Sequence, residues 1–407
     1  MSNIPNKKPE ILSPAGNPQK LRFAVDYGAD AVYCALERFG MRRAADNFTA
    51  EEMASAIEYA HSKGRKVYLT VNVMPHQGDM ADLPYFIAQA NELKPDAYIF
   101  SDPGVMDCIK SVAPGAELHL STQASTVNAG ACKFWHRLGV KRIVLARELS
   151  LAEIRAIRKE IPEELELEAF VHGAMCVSYS GRCLLSNYFA GRDANGGACA
   201  QPCRWKYFVH EEKRPEDVIS AEQDEYGTYL FSSKDLCMVE HIGDLVEAGI
   251  DSLKIEGRVK SAYYTAAVTN AYRMALDDYY EGKPFDPAYR TEVESVSHRE
   301  YGTGYFYGNP HENANIVGNN LYLKDRAFLA VVKDYDPATG LARCEQFNKM
   351  CIGDKANLLS PGTVGRDFTV GELFDEQGNP ITDTKHPRME FFLKIENAKA
   401  GDLIRGI

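Results

Sequence analysis

Four cysteines, Cys176, Cys183, Cys199 and Cys203, follow the pattern Cys-x6-Cys-x15-Cys-x3-Cys. Four thiolates hold either one Zn²⁺ or an iron–sulfur cube. Structural zinc ribbons favour knuckles of closely spaced cysteines, often in matched pairs, and only Cys199 and Cys203 fit that spacing. The longer first interval suits a cluster wrapped by an irregular loop, which puts iron–sulfur ahead of zinc; four unrelated buried thiols are the bland alternative. Cys237, in SSKDLC, is a fifth candidate and could replace Cys203 as ligand. Cys34, Cys108, Cys132, Cys344 and Cys351 are scattered and read best as small buried hydrophobes.

The elements that must position these thiols repeat along the first 260 residues or so. A helical stretch ends at Gly or Lys-Pro and a short aliphatic run follows, as in AVDYGADAVYCA, AHSKGRKVYLTVN and LVEAGIDSLKIEG. Gly supplies the left-handed helix cap, and the run after it reads as a strand buried on both faces. Eight such strands are expected near 9–13, 30–34, 66–72, 96–101, 117–121, 142–146, 165–171 and 251–256. Strands alternating with helices make a parallel sheet, and eight units favour a closed, TIM-like (β/α)8 barrel. No G-x-G-x-x-G follows the first strand, so a dinucleotide fold has little support.

The gap between strands seven and eight is too long for a plain loop, and it holds the cysteine cluster and a charged stretch from Glu211 to Glu225 that reads as an exposed excursion. A helix over 261–281 should close the barrel with one apolar face, Tyr264, Ala267, Val268, Ala271 and Ala275. After it, β-rich runs such as FLAVVKDY and MEFFLKI alternate with turns such as DPATG and EQGNP. The expected organisation is a barrel over 1–285 with a cysteine-rich insertion at 172–240, a connector at 286–317, and a small C-terminal β-barrel domain at 318–407.

In such a barrel the strand C-termini and the loops after them carry the active site. That rule selects Tyr33, Asn72, Gln123, Arg147, Glu148, His172, Glu256 and Arg258, each near the end of a buried run. Singly, each is more often a helix cap or a satisfied loop group; together they make a polar pocket. Gly257, between Glu256 and Arg258, would let the backbone approach a ligand closely.

Composition narrows the classes. The net charge of −11 disfavours sequence-blind binding of polyphosphate but leaves room for one nucleic acid held on a local basic patch. The N-terminal residues carry no apolar signal core and no run is long enough to span a bilayer. A cytoplasmic protein is expected, with no membrane partner, and homo-oligomerisation stays open.

The run EAFVHGAMCVSYSGRCLLS from Glu168 to Ser186, with NGGACAQPCRW from Asn195 and KIEGRVKS from Lys254, resembles the signature of the collagenase-like peptidase family U32. The likeness extends over most of the chain and is strongest to the branch that hydroxylates the wobble uridine of tRNA to 5-hydroxyuridine. That resemblance implies tRNA as partner, prephenate as oxygen donor, and a 4Fe–4S cluster on the motif cysteines. Prephenate carries two carboxylates, for which Arg147 and Arg258 are the rim residues of fitting chemistry; ion pairs with Glu148 or Glu256 are the bland alternative for each. Two other functions stay open: a peptidase, as the family name implies, and a non-enzymatic RNA-binding protein with structural zinc. The chain has no H-E-x-x-H and no G-x-S-x-G, which weakens the peptidase reading.

Overall fold

The computed structural model describes residues 7–41, 46–205, 233–310, 323 and 326–407, with the backbone alone of 210–211, 214–218, 223–224 and 227–228. Eight parallel strands form a closed barrel: β1 (Glu10–Pro14), β2 (Ala31–Cys34), β3 (Lys66–Val71), β4 (Ala97–Phe100), β5 (Leu118–Leu120), β6 (Arg142–Val144), β7 (Glu166–Ala174) and, after the insertion, β9 (Ser252–Ile255). β9 pairs with β1 on one side and β7 on the other, which closes the ring. Most strands are buried almost throughout, because helices cover one face and the barrel interior the other.

Helices start where local chemistry allows. α2 (Ala50–Ser62) begins with a capping box between Thr49 and Glu52, and α6 (Leu151–Glu160) with one between Ser150 and Glu153. The closing helix α9 (Ala262–Tyr280) differs from the expected amphipathic one. It is buried on nearly every side from Ala262 to Tyr272, since the C-terminal sheet covers the face turned away from the barrel. Tyr263 stacks on Phe328, and Asn270 bonds to Thr363 and Gly362 across that junction.

β7 runs past its barrel neighbours, and its end pairs with an extra antiparallel strand, β8 (Asp235–Cys237), which also pairs with β10 (Tyr301–Gly302). The C-terminal region is a curled, eight-stranded antiparallel sheet running from Phe328 to Gly406 around a second core that includes Leu358, Phe391 and Leu393. Buried Arg405 ties it to the barrel side through Glu292, Ser295 and Tyr263. The exposure expected for the charged stretch 211–225 lies outside the described residues, as do 311–322, where the connector and the C-terminal region were expected to meet. Among the described residues no helix is long and apolar enough to cross a membrane.

Candidate metal and anion site

The barrel interior is plugged by charge. Arg142 at the base of β6 meets Glu10 (2.6 Å), Glu166 (2.7 Å) and Glu168 (3.2 Å), and Glu168 also meets Lys254 of β9 at 2.6 Å. Burial works against the charge on Glu168, but Lys254 and Arg142 more than offset it and hold its carboxyl below the usual range. Lys254 carries this network upward, its ammonium lying 4.6 Å from the Tyr33 ring.

Above the plug, at the C-terminal rim, one cavity is lined by all four motif cysteines together with Tyr33, Asn72, Gln123, Arg147, Lys254, Glu256 and Arg258. Three contacts dock the cysteine insertion over the mouth. Ser125 donates to the Ser180 carbonyl at 2.9 Å, Met74 N–H to the Asn195 carbonyl at 3.0 Å, and His76 lies 3.7 Å from Asp193. Gly181, at φ +75°, sits so close to the barrel that a Cβ would fall 2.8 Å from the Gln123 carbonyl oxygen. That approach bends the loop between Cys176 and Cys183 back over the cavity. Between Cys199 and Cys203 the chain turns at Gln201 (φ +57°), whose N–H points at the Cys199 sulfur at 3.4 Å.

The four thiols line one cavity. Burial pushes the Cys203 thiol up; Arg204 opposes that, and the neighbouring thiols of Cys176, Cys199 and Cys183 add to it. All ten cysteines are free, so these four are available as ligands. Among the described residues no three His, Cys, Asp or Glu groups are placed to hold a single metal ion. Four thiols lining one cavity, with an N–H donor to the Cys199 sulfur, are a donor set of the chemistry an iron–sulfur cube takes, in which each thiolate binds a different iron.

The polar residues divide. Arg147 donates from Nη1 to the Ala174 carbonyl at 3.0 Å, approaches Glu256 at 3.6 Å and packs on the Phe170 ring at 4.0 Å. Its Nε is buried without a hydrogen-bond partner. Arg258, also buried, donates to Thr70 at 3.2 Å, while its own carbonyl accepts from Lys20. Asn72 is held by Met41 N–H and Ser121, Gln123 contacts the Met41 sulfur, and Tyr33 donates to the Ile255 carbonyl. Gly257 makes its close approach to Tyr264, whose ring carbon a Cβ would meet at 2.5 Å.

Three candidates lie elsewhere. His172 is sealed among Tyr264, Tyr272 and Tyr301 on the helix side of β7, and burial pushes its pKa down to about 3. The cause is a register shift between Lys254 and Ile255, opposite Phe170 and His172. It breaks the alternation, so Phe170 faces the cavity and His172 does not. Cys237 pairs with His172 across β8 and β7, buried, its thiol pushed up to about 11 by burial. It does not line the cavity. Glu148 is half-buried, its carboxyl raised by burial, and also lies off the cavity.

Lys254, Thr70 and Phe170 line the cavity without having been selected as strand-end residues, because each sits inside an apolar run. The usable signal for Lys254 was alternation with Glu256 along one strand.

Residues 16–316 match the model of peptidase family U32, and residues 324–405 that of the U32 C-terminal domain. The chain is 38% identical over 393 residues to tRNA hydroxylation protein P1 of Bacillus subtilis, covering 96% of this chain and 92% of that one. It is 36% identical to tRNA hydroxylation protein P of Escherichia coli, covering 92% and 91% of the two chains. It is also 35% identical to a Porphyromonas gingivalis protein named collagenase, covering 87% of each.

Proposed function

The chain belongs to peptidase family U32, and from that premise we propose that it is a tRNA-modifying enzyme that hydroxylates the wobble uridine to 5-hydroxyuridine with prephenate as oxygen donor. Extended likeness to proteins named for tRNA hydroxylation supports the reaction class. The observation that carries the reading is the convergence of Cys176, Cys183, Cys199 and Cys203 with Arg147, Lys254 and Arg258 on one rim cavity.

In this reading the four cysteines hold a 4Fe–4S cluster. Such a cluster, held by four thiolates, supplies single-electron transfer. The chain's own residues bind and orient. Arg147, a residue of the cavity wall with a buried N–H that has no hydrogen-bond partner, offers a donor to a carboxylate. Arg258 supplies a second guanidinium, and two such groups match the two carboxylates of prephenate. Glu256, just past the end of β9, approaches Arg147 at 3.6 Å, and Glu168 anchors the Lys254 ammonium at 2.6 Å at the floor of the cavity. The cysteine insertion covers the mouth and restricts water.

The peptidase reading has one specific support, the likeness to a protein named collagenase. Against it, no histidine lines the cavity among the described residues, so none is placed to activate a thiol there. The deciding experiment incubates anaerobically purified protein with unmodified tRNA and prephenate and analyses the nucleosides by mass spectrometry. 5-Hydroxyuridine formed only when prephenate is present supports the proposal. Its absence, with peptide cleavage instead, overturns it.

A further inference from the structure

The insertion that carries the thiols also carries a concentration of exposed aromatic residues. Tyr188 is 83% exposed, Tyr179 47%, Phe189 45% and Trp205 42%. Tyr188 and Phe189 lie edge to face on α7 (Leu185–Ala190), a single turn anchored from below by buried Ser186, whose hydroxyl accepts from Ala200 N–H. Cys183 precedes this turn by two residues and Trp205 follows Cys203 by two. Tyr179 is both exposed and a wall of the cavity, so one of the exposed rings lies at its mouth.

Apart from its four cysteines, this segment is basic in an acidic chain. From Cys176 to Trp205 there are three arginines, Arg182, Arg192 and Arg204, against one acid, Asp193, in a chain of −11. Arg182 and Arg192 are exposed. Large aromatic rings left in water are costly for a soluble surface and mark a docking site. Rings interleaved with guanidinium groups match a polyanion that also presents flat π-faces. A duplex hides its bases, whereas an RNA loop splays them out.

We infer that Tyr179, Tyr188, Phe189 and Trp205, with Arg182 and Arg192 between them, form a stacking platform for unpaired bases of an RNA loop, beside the cavity that receives the base to be modified. The inference rests on the tRNA-modifying reading and adds where and how the RNA is held. The arginines contact phosphates and the rings take bases neighbouring the target, so the loop, and not the stem, is gripped.

The test measures binding of a fluorescent anticodon stem–loop and of a plain RNA duplex to the full, cluster-loaded chain, by anisotropy. The double variant Tyr188→Ser/Trp205→Ser should lose about tenfold or more in stem–loop affinity with duplex binding unchanged. Tyr188→Trp/Trp205→Tyr, which keeps flat rings, should restore it. Arg182→Gln/Arg192→Gln should flatten the dependence of stem–loop affinity on salt. Unaltered stem–loop affinity in the serine variant, while visible absorption shows the cluster retained, overturns the platform. So does an equal loss on duplex, or a dimer that the serine variant dissociates. A wild-type protein that neither binds the stem–loop nor forms 5-hydroxyuridine would instead overturn the functional reading on which the inference rests.

Discussion

Arg142 opens β6 and Arg147 lies three residues past its end, and the fold treats the two oppositely. Arg142, at the base, spends its N–H groups on Glu10, Glu166 and Glu168, with the Tyr68 ring 5.3 Å away. Burial disfavours its charge, but the carboxylates more than offset this and raise its pKa. Arg147, at the rim, has one carbonyl, one loose carboxylate contact and a buried Nε without a partner. A saturated guanidinium is structure. One held in place yet left short of partners, beside a cavity, is what the proposed reading assigns to a ligand, because a buried donor left unmet costs stability.

The largest effect that tests this contrast is on stability. Arg142→Met should leave three carboxylates facing one another in the barrel and cost about 3–5 kcal/mol in urea unfolding. Arg147→Met should cost much less, about 1 kcal/mol, yet abolish prephenate-dependent hydroxylation. Equal stability losses would break the comparison.

Conservative changes sharpen it. Arg147→Lys and Arg258→Lys keep charge but lose the planar fork, so each should raise the prephenate concentration needed for half-maximal rate by about tenfold. An unchanged concentration dependence would make that arginine a structural partner only.

Two buried groups away from the rim cavity should also show themselves in acid. His172 keeps its proton off until about pH 3, whereas an unfolded chain takes one up near the ordinary histidine value of 6.5. The unfolded state therefore binds more protons in that window, and stability falls as pH drops from 6.5 toward 3. At the barrel base, Glu166 titrates at about 2 against an ordinary 4.5; burial opposes this depression, and Arg142 and Lys7 produce it. Its contribution is full above 4.5 and lost as pH falls toward 2. Unfolding midpoints measured from pH 7 to 3 should show a shallower decline in His172→Gln. A parallel decline in that variant would remove His172 as the cause.

The smallest effect concerns Cys237. Its thiol fills a packed space between β7 and α9, so Cys237→Ala should cost about 1 kcal/mol and leave activity per folded molecule unaltered. Loss of activity at full stability would give Cys237 a role that its placement does not suggest.

The barrel was legible because most of its strands are short buried runs between a helix end and a polar loop, so the expected 30–34 appears as Ala31–Cys34 and 251–256 as Ser252–Ile255. β8 was not legible: three residues within SSKDLC give no periodicity, and its pairing with the overhanging end of β7 is a tertiary event. The same pairing hides Cys237. His172 shows the limit of strand-end reasoning, since one register shift turns a rim residue into a core residue, and no local pattern announces a bulge. Lys254 was masked by its apolar neighbours Leu253 and Ile255, and the burial of α9 on two sides depends on a sheet formed over a hundred residues later.

In the proposed reading the four rim thiols, and not Cys237, hold an iron–sulfur cluster. Iron, acid-labile sulfide and zinc should be counted in anaerobically purified protein and in the five single Cys→Ala variants. About four irons and four sulfides per chain are expected in wild type and in Cys237→Ala, and loss of both in Cys176→Ala, Cys183→Ala, Cys199→Ala and Cys203→Ala. Zinc in place of iron, or full iron in any of those last four variants, would contradict it.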